Sequence, residues 1–401
     1  MAIEWITSRA VADSDAVILK KLGEQIANDP LCRVIILVPP QATLMTENHI
    51  MRTLGLPGLM GVQVMGPEKL AQRILDSVYG RAKPVVDLPA KSMVAAWLLE
   101  TYSDQMTALG ACARAQNISA DIAKIISEFK SMDIEPEQIK NLQSGSAVTD
   151  QKLADLAFLY EKFDEYMQSR ALTLEDRMNI AISHVQECRF IAESDVFVLH
   201  FDLLTSQLER LIAEVAKTAK NTCMSFLDTH SGDPDADLFE ATRRQKLSVA
   251  RRVELEALET ILPQKERRDA IGHIEKNLYA YPFAAFKEAQ KNVEIIRALN
   301  PDEEVAAAAE MIARLVHAEG YEMREIAVVC GNTQEYANII EHTFTKANIP
   351  FFLDDKRTAC KNFVAGTILS ALEMASGRLS KEKLLAHIEL VWGMDNPDGS
   401  V

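Results

Sequence analysis

No apolar run in the sequence reaches the roughly 18 residues that a membrane-spanning helix needs. The N-terminus also lacks the basic-then-apolar order of a secretory signal. Both absences predict a cytoplasmic protein with no membrane partner. Cysteine is sparse: Cys32, Cys112, Cys188, Cys223, Cys330 and Cys360 lie far apart, with no C-x-x-C and no histidine pair nearby. That spacing argues against a zinc knuckle or a disulfide scaffold and predicts reduced structural thiols. Positive charge is in deficit, 43 Lys and Arg against 58 Asp and Glu, for a net charge of −15. A protein coated in positive charge is excluded, although a local basic groove is not, because charge distribution decides nucleic-acid binding. The eight histidines, His49 to His387, are scattered without ligand spacing, and no nucleophile elbow is present. No carboxylate set of the D-…-E-x-K kind stands ready to hold a catalytic Mg²⁺. The sequence therefore predicts no metal and no cofactor.

What remains is an ordinary globular composition, 48% apolar and 25% charged over 401 residues, enough for two or three domains with filled cores. The first 38 residues read as strand (Ile3 to Thr7), loop (Ser8 to Asp15), helix (Ala16 to Ile26) and buried strand (Val34 to Val38, closed by Pro39 and Pro40). This is the βαβ unit in which P-loop proteins hold a nucleotide. A working phosphate loop reads G-x-x-x-x-G-K-[ST], with glycines to bring backbone N–H groups onto phosphate, Lys to neutralise it and Ser or Thr for Mg²⁺. Here the loop reads SRAVADSD. Ser8 and Asp13 fall at the glycines, Ser14 at the lysine and Asp15 at the hydroxyl residue. Asp13 and Asp15 satisfy the helix dipole themselves and would repel phosphate. The pattern is a P-loop scaffold without P-loop chemistry.

Further along, Val62 to Met65 reads as a strand, and Pro67 to Tyr79 as a helix with Pro67 in a favoured first position. From Pro89 to Val185 the pattern is wholly helical. One helix is expected over Ala90 to Ala108; another begins behind Asn117 as N-cap. A third places Leu153, Leu156, Tyr160, Phe163 and Met167 on one face, a stripe read as core packing. A fourth opens at Thr173 to Asp176. Strands return at Val196 to Leu199 and Thr222 to Leu227, with a helix from Ser206 to Ala219 between them. The acidic run DTHSGDPDAD lacks the glycine and distal glutamate of a calcium loop and reads as a solvated loop. Ala241 to Arg268, with eight Lys and Arg, reads as a solvated helix face. His200 beside Asp202 is read as a capping or loop histidine. From Asn292 the α/β character resumes: VEIIRAL, Ile326 to Val329 and Ile349 to Phe352 are expected as strands around helices 301–320 and 333–347. The ending MDNPDGSV has no closing element, and a fragment of a longer protein is expected.

Two α/β blocks, the first interrupted by helices, resemble superfamily-one helicases of the UvrD and RecB type. Several stretches are more specifically similar to the AddB (RexB) family, the second subunit of the bacterial ATP-dependent helicase–nuclease. VIILVPPQAT (34–43) resembles that family's V-P-E-Q-A-T segment with Pro40 for the usual glutamate, and VQVMGPEKLAQRIL (62–75) its V-x-S-F-x-R-L-A stretch. ISEFK (126–130), KLADLAFLYEKF (152–163), IGHIEKNLYAYP (271–282), residues 302–332 and IPFFLDDKR (349–357) follow in the family's order.

The resemblance implies an α/β, P-loop NTPase-like sheet domain in two parts, 1–88 and 189–290, with a helical insertion at 89–188. A second partial α/β domain at 291–360 and a helical start at 361–401 would follow. It also implies what has been lost. The phosphate-loop lysine falls at Ser14, the Mg²⁺-binding Asp at Leu199, and the γ-phosphate arginine at Gly331. Phosphoryl transfer rests on positioned cations and metal, so no intact cofactor site and no enzyme activity are expected of this chain. The family's nuclease and iron–sulfur cysteines lie in a C-terminal region beyond it. By resemblance, DNA-binding candidates are Gln41 and Thr43 after the second strand, Lys69 and Arg73 after the third, and Lys356 and Arg357 after IPFFLDD. The implied function is a catalytically inactive, helicase-like subunit supporting binding of single- or double-stranded DNA in break repair, with an AddA-like helicase–nuclease partner. Two other readings stay open: an interaction scaffold for a motor partner without DNA contact, and an ATP-dependent helicase with an atypical loop.

Overall fold

A computed structural model of the chain describes residues 2–79, 84–113, 115, 117–168, 170–228, 239–253, 257–263, 269–278, 281–282, 284–354, 363–375 and 380–395. Two compact units are present, Met1–Glu288 and Ala289–Val401.

The first unit is built on six parallel strands: β1 (Ala2–Ser8), β2 (Val34–Leu37), β3 (Val62–Met65), β4 (Asp195–Val198), β5 (Asn221–Leu227) and β6 (Ala257–Ile261), in the order β3-β2-β4-β5-β1-β6. Every residue of β2 is buried, as its unbroken apolar run requires of a parallel strand covered on both faces. Successive side chains of β1 divide between those faces, Ile3 and Trp5 on one and Ile6 on the other. Helices α1 (Val11–Asn28) and α2 (Thr43–Leu54) cover the Ile6 face through Ile18, Leu22 and Ile50. The Trp5 face is covered by α3 (Pro67–Tyr79) and by four helices defined below, and there the Trp5 and Phe226 rings lie 5.1 Å apart.

Two features of this unit differ from the sequence expectation. The loop read as Ser8 to Asp15 shrinks to Arg9 and Ala10, because α1 already begins at Val11. Without a glycine to turn the backbone outward, and with Asp13 favoured in a first helical turn, the helix starts as soon as the strand ends. Second, the basic stretch 241–268 contains the edge strand β6, which pairs along β1 with Leu258 largely exposed. An edge strand wet on one side carries no continuous apolar run, and that hid it.

Between β3 and β4 lie α4 (Leu88–Thr101), α5 (Ile118–Ser131), α6 (Pro136–Lys140) and α7 (Ala147–Gln168), then α8 (Leu174–Ser183) and α9 (Arg189–Ala192). The first four share their own core, centred on Leu98, Leu99, Ile126, Tyr160 and Phe163, so the Met and aromatic stripe is core as expected. Helix α4 stops seven residues short of Ala108. The cause is Asp155 of α7, whose buried carboxylate accepts the amide N–H groups of Thr107, Ala108 and Leu109 at 3.1, 2.7 and 2.8 Å. Asn117 precedes α5 in the left-handed region (φ 69°) and its side chain makes no capping bond. The expected Thr173 start is present as a capping box with Asp176. Helix α8 packs Met178, Ala181 and Ile182 against the sheet, together with α10 (Ser206–Thr218) and α11 (Glu240–Val253). A further helix, α12 (Ala270–Asn277), follows β6.

The second unit contains α13 (Pro301–Glu319), α14 (Thr333–Lys346), α15 (Phe363–Ala375) and α16 (Lys381–Asp395). Helices α13 and α14 bury Val305, Ile312, Ile340 and Phe344 against Ile349. The three segments expected as strands, VEIIRAL, Ile326 to Val329 and Ile349 to Phe352, form no ladder among the described residues. Among the described residues this unit therefore shows helices and no strand. A strand exists only where its backbone groups find a neighbour, and Val329 stands 92% exposed rather than buried.

Candidate functional site

Helices leaving the C-terminal ends of the adjacent strands β1 and β5 go to opposite faces of the sheet, α1 to the Ile6 face and α11 to the Trp5 face. Such a divergence opens a crevice outside the strand ends, the usual ligand position in open α/β sheets. Residues Ser8 to Asp15 lie at this end of the sheet, and several of their polar groups are occupied from within the chain. Ser8 is buried, its hydroxyl donating to the Ala10 carbonyl at 2.9 Å. Arg9, the one cation of the loop, is only 6% exposed and binds Glu275 of α12 at 2.7 Å. Ser14, at the lysine position, is buried and donates to the Val11 carbonyl at 2.8 Å.

The end of β4 completes the crevice. Leu199, where a Mg²⁺-binding Asp would stand, is buried and donates its amide to the Leu37 carbonyl at 2.9 Å. His200 follows in the left-handed region (φ 63°), with its Nε2 2.9 and 3.1 Å from the two carboxylate oxygens of Asp15. The sequence reads His200 as a capping or loop histidine; the structure pairs its ring with Asp15 across 185 positions of chain. Sequence reasoning also missed Arg9, although a lone arginine in a loop without lysine was visible. On α11, Arg243 binds Asp228 at 2.9 Å, and Lys246 binds Glu259 and the Thr7 hydroxyl. Burial works to raise the Glu259 carboxyl, but the Lys246 and Thr7 donors outweigh it and hold it below its ordinary value. Among the described residues, no group of three or more His, Cys, Asp or Glu side chains could hold a metal ion.

The Asp15–His200 pair bridges α1 to β4, and its worth is measurable. Each of Asp15→Ala and His200→Ala is expected to cost about 1–2 kcal/mol, the low side for a charged hydrogen bond because both side chains are partly wet. Thermal melting of the two single variants and the double variant should be non-additive. Additive losses would show that the contact contributes nothing.

The DNA-binding candidates divide. Gln41 is exposed in the turn after β2, and the Thr43 hydroxyl donates to the Pro40 carbonyl at 3.0 Å. The β2–α2 and β3–α3 turns abut: a Cβ on Gly66 would lie 3.1 Å from Pro40 Cγ. Lys69 is exposed on the first turn of α3, close to this junction. Arg73 lies a turn further along, half-buried, its guanidinium 4.7 Å above the Phe190 ring. Lys69 and Arg73 share a groove of about 620 Å³ with Glu47, Met51 and the edge strand β3. The structure thus sets Lys69 and Arg73 on one groove and places Gln41 and Thr43 beside the neighbouring turn. Lys356 and Arg357 lie outside the described residues, and Gly331 is exposed in the second unit.

Comparison with known proteins decides the family, since the model described as "ADDB, N-terminal" matches residues 5–275. The chain belongs to the AddB family. Similar AddB relatives are the B subunits of the ATP-dependent helicase/deoxyribonuclease from Alkaliphilus oremlandii, 27% identical over 99% of this chain, and from Alkaliphilus metalliredigens, 26% identical over 97%. Their counterpart from Clostridium kluyveri is 25% identical over 97% of the chain. The chain spans about a third of these AddB relatives, 36%, 35% and 35% of their lengths. No helix among the described residues is long and apolar enough to cross a membrane.

Proposed function

We infer that this chain is a helicase-like, catalytically inactive part of an AddB-type subunit. On this reading it supports DNA binding and assembly with an AddA-like helicase–nuclease in double-strand-break repair, in the cytoplasm. The first unit is a P-loop-like sheet carrying its helices 89–188 as an insertion, and its nucleotide crevice is degenerate. The observation that carries the inactivity is the occupied crevice. Where a triphosphate and Mg²⁺ would need a lysine, a free hydroxyl and a carboxylate, the chain has Ser14 and Asp15 engaged internally and Leu199 buried. Phosphoryl transfer has no positioned charge to use there. Millimolar MgATP is expected to leave the melting temperature unchanged, since a ligand that does not bind the folded state cannot stabilise it. Clear stabilisation would favour the atypical helicase.

DNA binding rests on the exposed edge near Gln41 and Lys69, where an amide and an ammonium can meet phosphates and the Thr43 hydroxyl holds the turn to the Pro40 carbonyl. Labelled single-stranded DNA should bind with an affinity that falls as salt rises. Lys69→Ala should weaken binding several-fold, to a similar degree for different sequences, and reduce the salt slope by about 1. Fluorescence anisotropy across a salt series reads both effects. Absent or salt-independent binding would leave the scaffold reading in its place.

A further inference from the structure

The helical insertion and the sheet keep separate apolar cores. That of the insertion draws its residues from Val86 to Ala171, and the core on the Trp5 face of the sheet takes none from that range among the described residues. What lies between the two is polar. Among the described residues, three ion pairs cross the boundary: Lys91 to Glu175 and Lys130 to Asp176, each at 2.7 Å, and Arg210 of α10 to Asp133 at 2.5 Å. A cavity of about 290 Å³ opens beside them, with Asp133, Tyr160 and Asp164 on one side and Asp176, Asn179 and Arg210 on the other. Close packing leaves few voids larger than a water molecule inside a domain. The seam is therefore not packed as either core is.

The chain crosses this seam at two places that lie side by side. It enters the insertion through Pro84, Val85 and Val86 and leaves through Ala171 and Leu172. Two backbone bonds join these segments: the Val86 amide donates to the Leu172 carbonyl at 2.9 Å, and the Leu172 amide to the Pro84 carbonyl at 3.1 Å. Capped helices bound them, with Asp87 accepting the Ala90 amide at 3.1 Å before α4 and Thr173 in its capping box before α8. A body tethered by two adjacent crossings can turn about them through dihedral changes in a few residues. Separation would return the paired charges to water, where hydration replaces much of their attraction. Pulling apart an apolar face would carry no such compensation.

We propose that residues 84–172 form a hinged module: helices α4 to α7 swing as one body about the Val85–Leu172 bridge, and the three ion pairs hold it closed on α8 and α10. The proposal does not depend on the subunit reading.

Pulsed electron paramagnetic resonance on the full chain tests it, with spin labels carried on non-natural side chains so that the native cysteines stay untouched. One label replaces Lys220, exposed on the sheet side, and the other Met93 or Leu142, both exposed on the module. Two module sites are used because a rotation that preserved one distance would alter the other. Arg210→Met leaves Asp133 without its partner in the closed form alone. The population at an altered distance should therefore rise roughly threefold or more over the parent in at least one label pair. Lys124→Met removes only an exposed pair with Glu128 inside the module and should leave the distribution unchanged. Hydrogen exchange at Ile126 and Phe163, in the module core, should stay as slow as in the parent for both variants. A smaller shift in Arg210→Met, or an equal one in Lys124→Met, overturns the hinge. Faster exchange at Ile126 and Phe163 alongside the shift also overturns it, because the helices would then be unfolding rather than moving together.

Discussion

Replacing Lys130 with alanine is expected to cost the first unit about 3–5 kcal/mol, the range for removing one partner of a buried ion pair. Lys130, on α5, is only 6% exposed; its ammonium lies 2.6 Å from Asp164 of α7 and 2.7 Å from Asp176 of α8. It joins the helical cluster to the helices of the sheet, alongside Lys91 with Glu175 at 2.7 Å and Arg210 with Asp133 at 2.5 Å. Truncation would leave two carboxylates partly buried and close together with no cation between them. A loss of this size should lower the first melting transition by roughly 6–15 °C in a domain of this length.

The pH dependence has a definite sign. Burial works to raise the Asp176 carboxyl, but Lys130 and the Thr173 donors outweigh it and hold it below its ordinary value. Its stability contribution is therefore present above the unfolded carboxyl value and lost as pH falls through the lower folded one. Burial dominates at Asp164 and keeps that carboxyl raised despite Lys130, so Asp164 opposes folding once ionised. Burial works to lower the Lys130 ammonium, while Asp176 and Asp164 outweigh it and raise it; its contribution fades only as pH climbs through that raised value. In Lys130→Ala both carboxylates are driven upward, so the deficit should shrink from pH 7.5 to pH 5 as one takes a proton. Calorimetry at the two values checks this. A variant that melts with the parent, or whose deficit grows on acidification, would show that the pair does not hold the joint.

Gly61→Ala should be nearly as damaging by a different route. A Cβ there would lie 2.0 Å from the Cys32 carbonyl oxygen and 3.0 Å from its carbon, both backbone atoms that no rotamer change can move aside. Gly61 also accepts the Val34 amide at 3.0 Å, so it closes the lower end of the β2–β3 ladder. Relief would require shifting one strand against its neighbour, about 1–3 kcal/mol by the usual cost of forced backbone movement and at its upper end here because both clashing atoms are backbone. Because β2 and β3 carry Gln41, Thr43 and Lys69 at their far ends, DNA binding should fall along with stability. Gly58→Ala meets nothing within 4 Å and is the control expected to melt like the parent. A Gly61→Ala protein of native stability would mean the two turns can separate freely.

The sequence carried its information unevenly. Long apolar runs announced β2, β4 and β5, and the helices of the insertion core were legible from Ile122, Tyr160 and Phe163 at helical spacing. The missing lysine and glycines of the first turn were likewise plain, because phosphate chemistry tolerates few substitutes. The three apolar segments of the second unit misled, since an apolar run announces burial or pairing without saying whether a partner is within reach. Edge strand β6 was missed for the opposite reason: pairing with β1 organises residues whose own pattern is weak.

By itself, then, the chain's order of residues determined which segments of the first unit would be helix or central strand, and that its first turn carries no glycine and no lysine. Local chemistry suffices for both, because propensity and charge act over a few neighbours. Only the tertiary structure decided where the leftover charges went. Asp15 meets His200, Arg9 meets Glu275, and Lys130 sits between two helices because packing brings together groups tens to hundreds of positions apart. No local pattern encodes such pairings, since they depend on the order in which strands take their places in the sheet.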